Sequence, residues 1–226
     1  MSTRMVEVRA KVLKQNDLLA RALRERFQSE GTCVIGLVSS PGSGKTAFLE
    51  KLLKTLARDY RVAALVGDLA TENDAARLQR ATPNVKQITT GTICHLDAQM
   101  VEQALASWDV GPLDFLFIEN VGNLVCPSSY DLGEEFRFVL LSATEGEDKP
   151  LKYPTIFNSS DAAIITKMDI ADACEFDLAA ARRNIEGVRP GMKIFEVSSK
   201  TGVGMNVVAD FLVDQLTNSR EVLAAQ

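Results

Sequence analysis

The segment SSPGSGKT, residues 39–46, ends in a lysine and a threonine placed directly after a Gly-Ser-Gly turn. Glycine lets a backbone approach a ligand closely, and successive N–H groups in such a turn converge on an anion such as the β-phosphate of a nucleotide. In that arrangement Gly42, Ser43 and Gly44 shape the cradle, Lys45 reaches the β/γ-phosphates, and the Thr46 hydroxyl coordinates Mg²⁺. This chemistry needs a strand before the turn and a helix after it. The runs TCVIGLVS and TAFLEKLLKTLARD supply them. The strict pattern has glycine where this chain has Ser39.

A phosphate loop does not choose the base. Two later segments do. TKMD, Thr166–Asp169, follows an apolar run and matches the [NT]KxD element of GTPases. Its Asp169 carboxylate accepts two hydrogen bonds from guanine N1 and N2, while the Lys167 stem packs on the base. Adenine has no such donor pair and leaves the carboxylate unpaired. SSKTG, Ser198–Gly202, resembles the short element that contacts guanine O6, with Ser199 and Lys200 as the contact residues. Both segments, in this order behind the phosphate loop, predict GTP and GDP as ligands. IENVG, Ile118–Gly122, stands where GTPases carry DxxG, with Glu119 in place of aspartate. Glu119 is expected near Mg²⁺ or its bound water, and the Gly122 N–H at the γ-phosphate. Asp68, ending the run VAALVGD, is a second candidate for Mg²⁺ or the attacking water. No glutamine suited to orienting that water is evident, so hydrolysis is expected to be slow.

The chain has one histidine, His95, directly after Cys94 in GTICHLDAQM. Alone, the pair reads as a buried cysteine beside a lone histidine. Two features point to a metal instead. Cys94 lies just before a predicted helix at 95–107, where the N-terminal dipole favours the thiolate. Cys126 lies four residues after Gly122, on the segment expected to sense the γ-phosphate. Three ligands rarely close a site, but a two-fold dimer brings two such trios together. Square-planar S/N ligation suits Ni²⁺, and tetrahedral S/N ligation suits Zn²⁺. Asp97 reads equally as a ligand, as a group orienting the His95 ring, or as a helix cap. Cys33 and Cys174 are expected to be structural.

The elements that must position these residues follow from pattern. Strand-like runs occupy 62–68, 85–89, 113–119, 136–142, 162–167 and 193–199, with helical stretches at 72–80, 95–107, 175–186 and 204–219. That alternation predicts an α/β fold, a P-loop NTPase with a mostly parallel sheet and helices on both faces. Residues 3–29 read as a helix, with Met5, Val8, Val12, Leu19, Leu23 and Phe27 near helical spacing. Residues 1–29 are therefore read as an N-terminal helix on or extending from the domain, and 30–226 as the GTPase domain with its embedded metal site. The stretch 143–157 is polar, contains two prolines and is read as a loop. There Lys149 and Lys152, beside Tyr153, read as solvated, or as groups reaching across a dimer to an acidic group or the nucleotide. A net charge of −5 with no basic run argues against nucleic acid. No apolar stretch approaches the ~20 residues of a membrane span, and the start MSTRMVEVRAK has no apolar signal core. No membrane association and a cytoplasmic location are expected.

LVSSPGSGKT, GDLATENDAARL, TGTICHLDAQMV, IENVGNLVCP and ITKMD together resemble the HypB family, GTPases that assist nickel insertion into [NiFe] hydrogenase. The likeness covers roughly residues 30–218, and CHLDA combined with ENVGNLVCP discriminates it from related metallochaperone and signal-recognition GTPases. The resemblance implies GTP hydrolysis, a GTP-favoured homodimer, and Ni²⁺ or Zn²⁺ held by Cys94, His95 and Cys126. Hydrogenase maturation factors or the hydrogenase large-subunit precursor are the partners it implies. Some members carry an N-terminal cysteine motif or a histidine-rich stretch, whereas residues 1–32 here contain neither Cys nor His. Metal handling is then expected to rest on the GTPase domain or a partner. Two rival readings are a GTPase chaperone for another metal centre or cofactor and a nucleotide-gated accessory scaffold with structural zinc.

Overall fold

Strand β1 (Cys33–Ser39) is buried along its whole length because helices cover both faces of the sheet it centres. The structure, a computed structural model, describes residues 3–69 and 73–224. Seven strands run in the order β3-β2-β4-β1-β5-β6-β7, and every pair is parallel. The remaining strands are β2 (Val62–Asp68), β3 (Val85–Thr89), β4 (Phe115–Glu119), β5 (Phe136–Ser142), β6 (Ala162–Thr166) and β7 (Lys193–Glu196).

Alternation along each strand divides the core. Ile35 and Leu37 of β1 and Phe115 and Phe117 of β4 pack against Phe48, Leu52, Val208 and Leu212. These come from helices α2 (Lys45–Leu56) and α8 (Met205–Ala224). The intervening Leu116 and Ile118 meet Leu23, Phe27 and Val101, from helices α1 (Thr3–Ser29) and α4 (Ala98–Ala106). Val139 and Leu141 of β5 meet Phe157 and Ile185. The parallel register brings the ends of β1, β2, β4, β6 and β7 to one edge, where ligands of open α/β sheets bind. At the opposite edge Arg220 of α8 donates to Gly31 O at 3.0 Å and to Asp114 at 2.6 Å.

Several expected boundaries move. Of the apolar residues expected along α1, Leu23 and Phe27 are buried, but Val8 and Val12 are exposed; the side chain of Met5 lies outside the described residues. Only the C-terminal part of this helix meets the sheet layer. The helix expected at 72–80 is α3 (Asn73–Leu78), and residues 70–72 lie outside the described set. Helix α4 begins at Ala98, not 95, because Asp97 caps it by accepting from Met100 N at 2.8 Å. Helix α7 (Leu178–Val188) likewise begins after its cap, Asp177. Strand β7 stops at Glu196, beyond which Ser198 N turns to Val203 O at 2.9 Å. The stretch 143–157 is not all loop: it contains the short helices α5 (Lys149–Lys152) and α6 (Pro154–Asn158). Each has proline in its first turn, where the missing N–H costs nothing, so prolines that suggested a loop mark helix starts.

Candidate functional site

The phosphate loop spans the end of β1 and the start of α2. Gly42 and Gly44 adopt φ of 76° and 92°, in the left-handed region that disfavours side chains, and Gly44 precedes the first helical residue. Ser39, where the strict pattern has glycine, is fully buried. Its hydroxyl receives bonds from Ser43 Oγ at 2.6 Å and from Lys45 Nζ at 3.1 Å. The substitution therefore provides an internal anchor for the lysine rather than disrupting the turn.

Thr46 Oγ1 donates to Glu119 Oε1 at 2.7 Å, joining α2 to the end of β4. Glu119 is buried, and its Oε2 has no partner among the described residues. Burial pushes its carboxyl up, against the nearby Lys45 charge and the Thr46 bond. A hydroxyl and a partly unsatisfied buried carboxylate are the oxygen donors Mg²⁺ takes, so the residues fit that ion. Asp68 ends the neighbouring strand and accepts from Leu69 N at 2.6 Å. Gly122 presses on the loop: a Cβ there would lie 2.9 Å from Pro41 Cα.

The base-reading segments reach the same loop. Thr166 Oγ1 donates to Ser43 O at 2.7 Å, and Lys167 Nζ to Gly42 O at 2.8 Å. Lys167 has φ 59°. Asp169 accepts from Ser198 Oγ at 2.6 Å and lies 4.0 Å from Lys200 Nζ. The serine reaching Asp169 is thus Ser198; Ser199 lines a recess with Lys51 and Lys200. Only the doubled SS in SSKTG hinted at this, without saying which serine turns inward.

Cys94, His95 and Cys126 also come together. Their ligand atoms lie within 4.8 Å of one another, and each residue is half-buried. The two sulfurs stand 3.2 Å apart, too far for a disulfide. His95 Nδ1 is buried with no hydrogen-bond partner among the described residues, and its ring packs against Tyr130 at 4.1 Å. Burial lowers the imidazole pKa, with Asp97 acting weakly the other way, so the neutral, metal-ligating form is favoured. Asp97 caps α4 and lies outside the trio. With the helix starting at Ala98, the expected proximity of Cys94 to its N-terminus is reduced. Cys33 is buried, whereas Cys174, expected to be structural, is exposed. Lys149 lies 3.7 Å from Glu145 and over the Tyr153 ring, while Lys152 lies 2.5 Å from Asp148. Both therefore have partners within this chain.

Two asparagines absent from the expected list join the metal trio to the nucleotide end. Buried Asn120 follows Glu119 and accepts from Leu96 N at 3.0 Å and Val121 N at 2.9 Å. Asn123 donates to Cys94 O at 3.2 Å. Both lie inside the IENVGN run, but the sequence cannot show that an amide crosses to the cysteine loop.

A parallel sheet with this loop and these strand-end segments defines a P-loop nucleotide-binding protein. The model of the CobW/HypB/UreG nucleotide-binding domain matches residues 33–196. The hydrogenase/urease maturation factor HypB of Helicobacter hepaticus is 43% identical over 216 residues, 94% of this chain and 88% of that protein. The structure of HypB from Helicobacter pylori in complex with nickel has a TM-score of 0.86 at 42% identity, covering 90% of this chain and 96% of that one. HypB from Archaeoglobus fulgidus gives 0.83 at 36% identity, covering 90% and 99%. The chain belongs to the HypB family. No helix among the described residues is long and apolar enough to cross a membrane.

Proposed function

We propose that this protein is a slow, GTP-hydrolysing nickel metallochaperone, which delivers Ni²⁺ during [NiFe] hydrogenase maturation and dimerises preferentially with GTP. One observation supports this above the others: the loop carrying Cys94 and His95 is bonded, at Leu96 N by Asn120 and at Cys94 O by Asn123, to the segment that runs from Glu119 past Gly122 to Cys126. Two thiolates and an imidazole suit nickel or zinc. A structural zinc site is closed by four protein ligands. Three half-buried donors suit a cargo that must leave, and the choice of nickel is supported by the Helicobacter pylori relative, whose structure is a complex with nickel. A second copy of the chain could complete the ligand set.

In the nucleotide site, Lys45 exchanges its Ser39 bond for the β/γ-phosphates, and Asp169 exchanges Ser198 for the guanine edge. Thr46 and Glu119, with Asp68 as a second acid, would hold Mg²⁺, which would neutralise phosphate charge when bound. Water attacks the γ-phosphate, and Gly122 N–H faces that group. Loss of the γ-phosphate then releases the Gly122–Cys126 segment, as switch regions do. GTP favours the dimer only by binding it more tightly than it binds the monomer, and by a larger margin than GDP does, and a metal shared across that dimer favours GTP reciprocally.

Sedimentation with GDP and with a non-hydrolysable GTP analogue, each with and without Ni²⁺, tests the coupling. The analogue with Ni²⁺ should give the largest dimer fraction; equal fractions in all four samples would reject it. A deletion strain tests the cellular role: hydrogenase activity should be lost and restored by added nickel, and intact activity would end the assignment.

A further inference from the structure

Helix α1 lies outside both sites, yet one of its side chains touches both segments that carry the metal donors. Asn16 is buried. Its Oδ1 accepts from Ala98 N at 2.9 Å, three residues after His95. Its Nδ2 donates to Asp131 O at 2.8 Å, the residue after Tyr130. Tyr130 in turn packs against the His95 ring in a tilted arrangement, with centroids 4.1 Å apart and planes 36° from parallel. The contacts close a loop: Asn16 to Ala98, back along the chain to His95, across to Tyr130, and through Asp131 to Asn16. Arg24, two turns further along α1, grips the Asp131 carboxylate at 2.6 and 2.8 Å.

From this loop we infer that Asn16 is a positioning residue for His95, fixing the imidazole face against Tyr130 and thereby the trio's geometry. The inference rests on the proposed metal site. An amide suits the task because one side chain must accept at one end and donate at the other. An ionised carboxylate has no donor and an apolar group has neither function, while a hydroxyl would have to serve both ends from a single atom. His95 Nδ1 has no hydrogen-bond partner among the described residues, so the ring's orientation rests on ring packing and backbone placement. Residues that orient a metal-ligating histidine typically change metal affinity ~10–100-fold when removed.

The experiment uses the full chain. His95 is the only histidine, so its imidazole NMR signals need no assignment, and the Tyr130 ring current displaces them from free-histidine positions. The variants are Asn16→Ala, Asn16→Asp, which keeps the acceptor but loses the donor to Asp131 O, and Tyr130→Leu. Phe27→Leu is the control, loosening the packing of α1 far from the loop. The first three should move the His95 signals toward free histidine and weaken Ni²⁺ binding ~10–100-fold, with GDP affinity within about twofold of the parent. Phe27→Leu should do neither. The inference is overturned if Asn16→Ala and Phe27→Leu show the same His95 signals and the same Ni²⁺ affinity. Failure of the underlying reading looks different: the parent's Ni²⁺ would survive Cys94→Ala, while the His95 signals would still decide whether Asn16 sets the ring.

Discussion

The nucleotide end and the metal end of this sheet edge differ in how they hold their functional atoms. At the nucleotide end the groups bind one another: Lys45 to Ser39, Thr46 to Glu119, Lys167 to the Gly42 carbonyl, Asp169 to Ser198. Nucleotide binding there is an exchange of partners, and its net gain is smaller than the gross strength of the new bonds. At the metal end the mutual contact is between the two sulfurs, and the neighbours hold the frame while His95 Nδ1, like Glu119 Oε2 at the nucleotide end, stays unused among the described residues. Asn120, Asn123 and Tyr130 fix backbone and ring, and His95 Nδ1 has no hydrogen-bond partner among the described residues. The first arrangement keeps an empty site intact and readily exchanged. The second keeps the donors close, so that a metal meets them already gathered.

Substitutions can break this contrast from either side. Lys45→Ala removes the charge meant for the phosphates, and GTP turnover should fall by at least ~10²-fold, as when one transition-state donor is removed. Circular dichroism should show the fold intact; normal turnover by the folded variant would remove the phosphate role. Asp169→Asn comes next. Two hydrogen bonds to a charged acceptor are lost, each worth roughly 1.5–3 kcal/mol, so GTP should weaken sharply while XTP gains, because the new amide can donate to the xanthine C2 carbonyl. Competition binding would measure both, and unchanged GTP affinity with no XTP binding would refute the base assignment.

Cys94→Ala and Cys126→Ala test the other end. Each should lose most Ni²⁺ or Zn²⁺ binding while leaving GTP binding within about twofold, and because the ligands act as a set the two losses should not add. Full metal stoichiometry in the double variant would place the site elsewhere. Glu119→Gln gives the smallest effect and sharpens the contrast most. Burial raises the Glu119 carboxyl above its ordinary value of 4.5. The folded state therefore holds a proton more tightly than the unfolded chain, and this contribution to stability fades as pH rises above 4.5. At neutral pH the neutral amide should melt higher than the parent, the gain should vanish toward acid, and hydrolysis should slow about tenfold or more. A lower melting temperature at pH 7.5 would show that the buried charge is compensated within the protein.

The sequence already showed most of the nucleotide end, because its chemistry is local. Glycine spacing, the strand before Ser39 and the helix after Lys45 can be read within a few residues of each other. The metal trio was legible as three residue types, and the structure does gather them. Their frame was not legible. Asn16, Asn120 and Tyr130 act through contacts between segments distant in sequence, and nothing in an isolated asparagine reveals which backbone it will meet. The Ser198/Ser199 ambiguity has the same root, since one residue decides which hydroxyl faces inward. The boundary errors had a local cause: caps such as Asp97 and prolines at helix starts shift an element by a few residues without changing its periodicity.

One contact described above has a mechanical meaning. At Gly122 there is no room for even one added carbon, which would lie 2.9 Å from Pro41 Cα. A joint with play absorbs the first part of any stroke, whereas a joint without play passes it on. On the function proposed above, a shift of the phosphate loop around a nucleotide would bring Pro41 to bear directly on the Gly122 backbone, and Cys126 is four residues further along the same segment. The glycine is the zero-clearance bearing of the device: any side chain there would wedge it open before a nucleotide arrived.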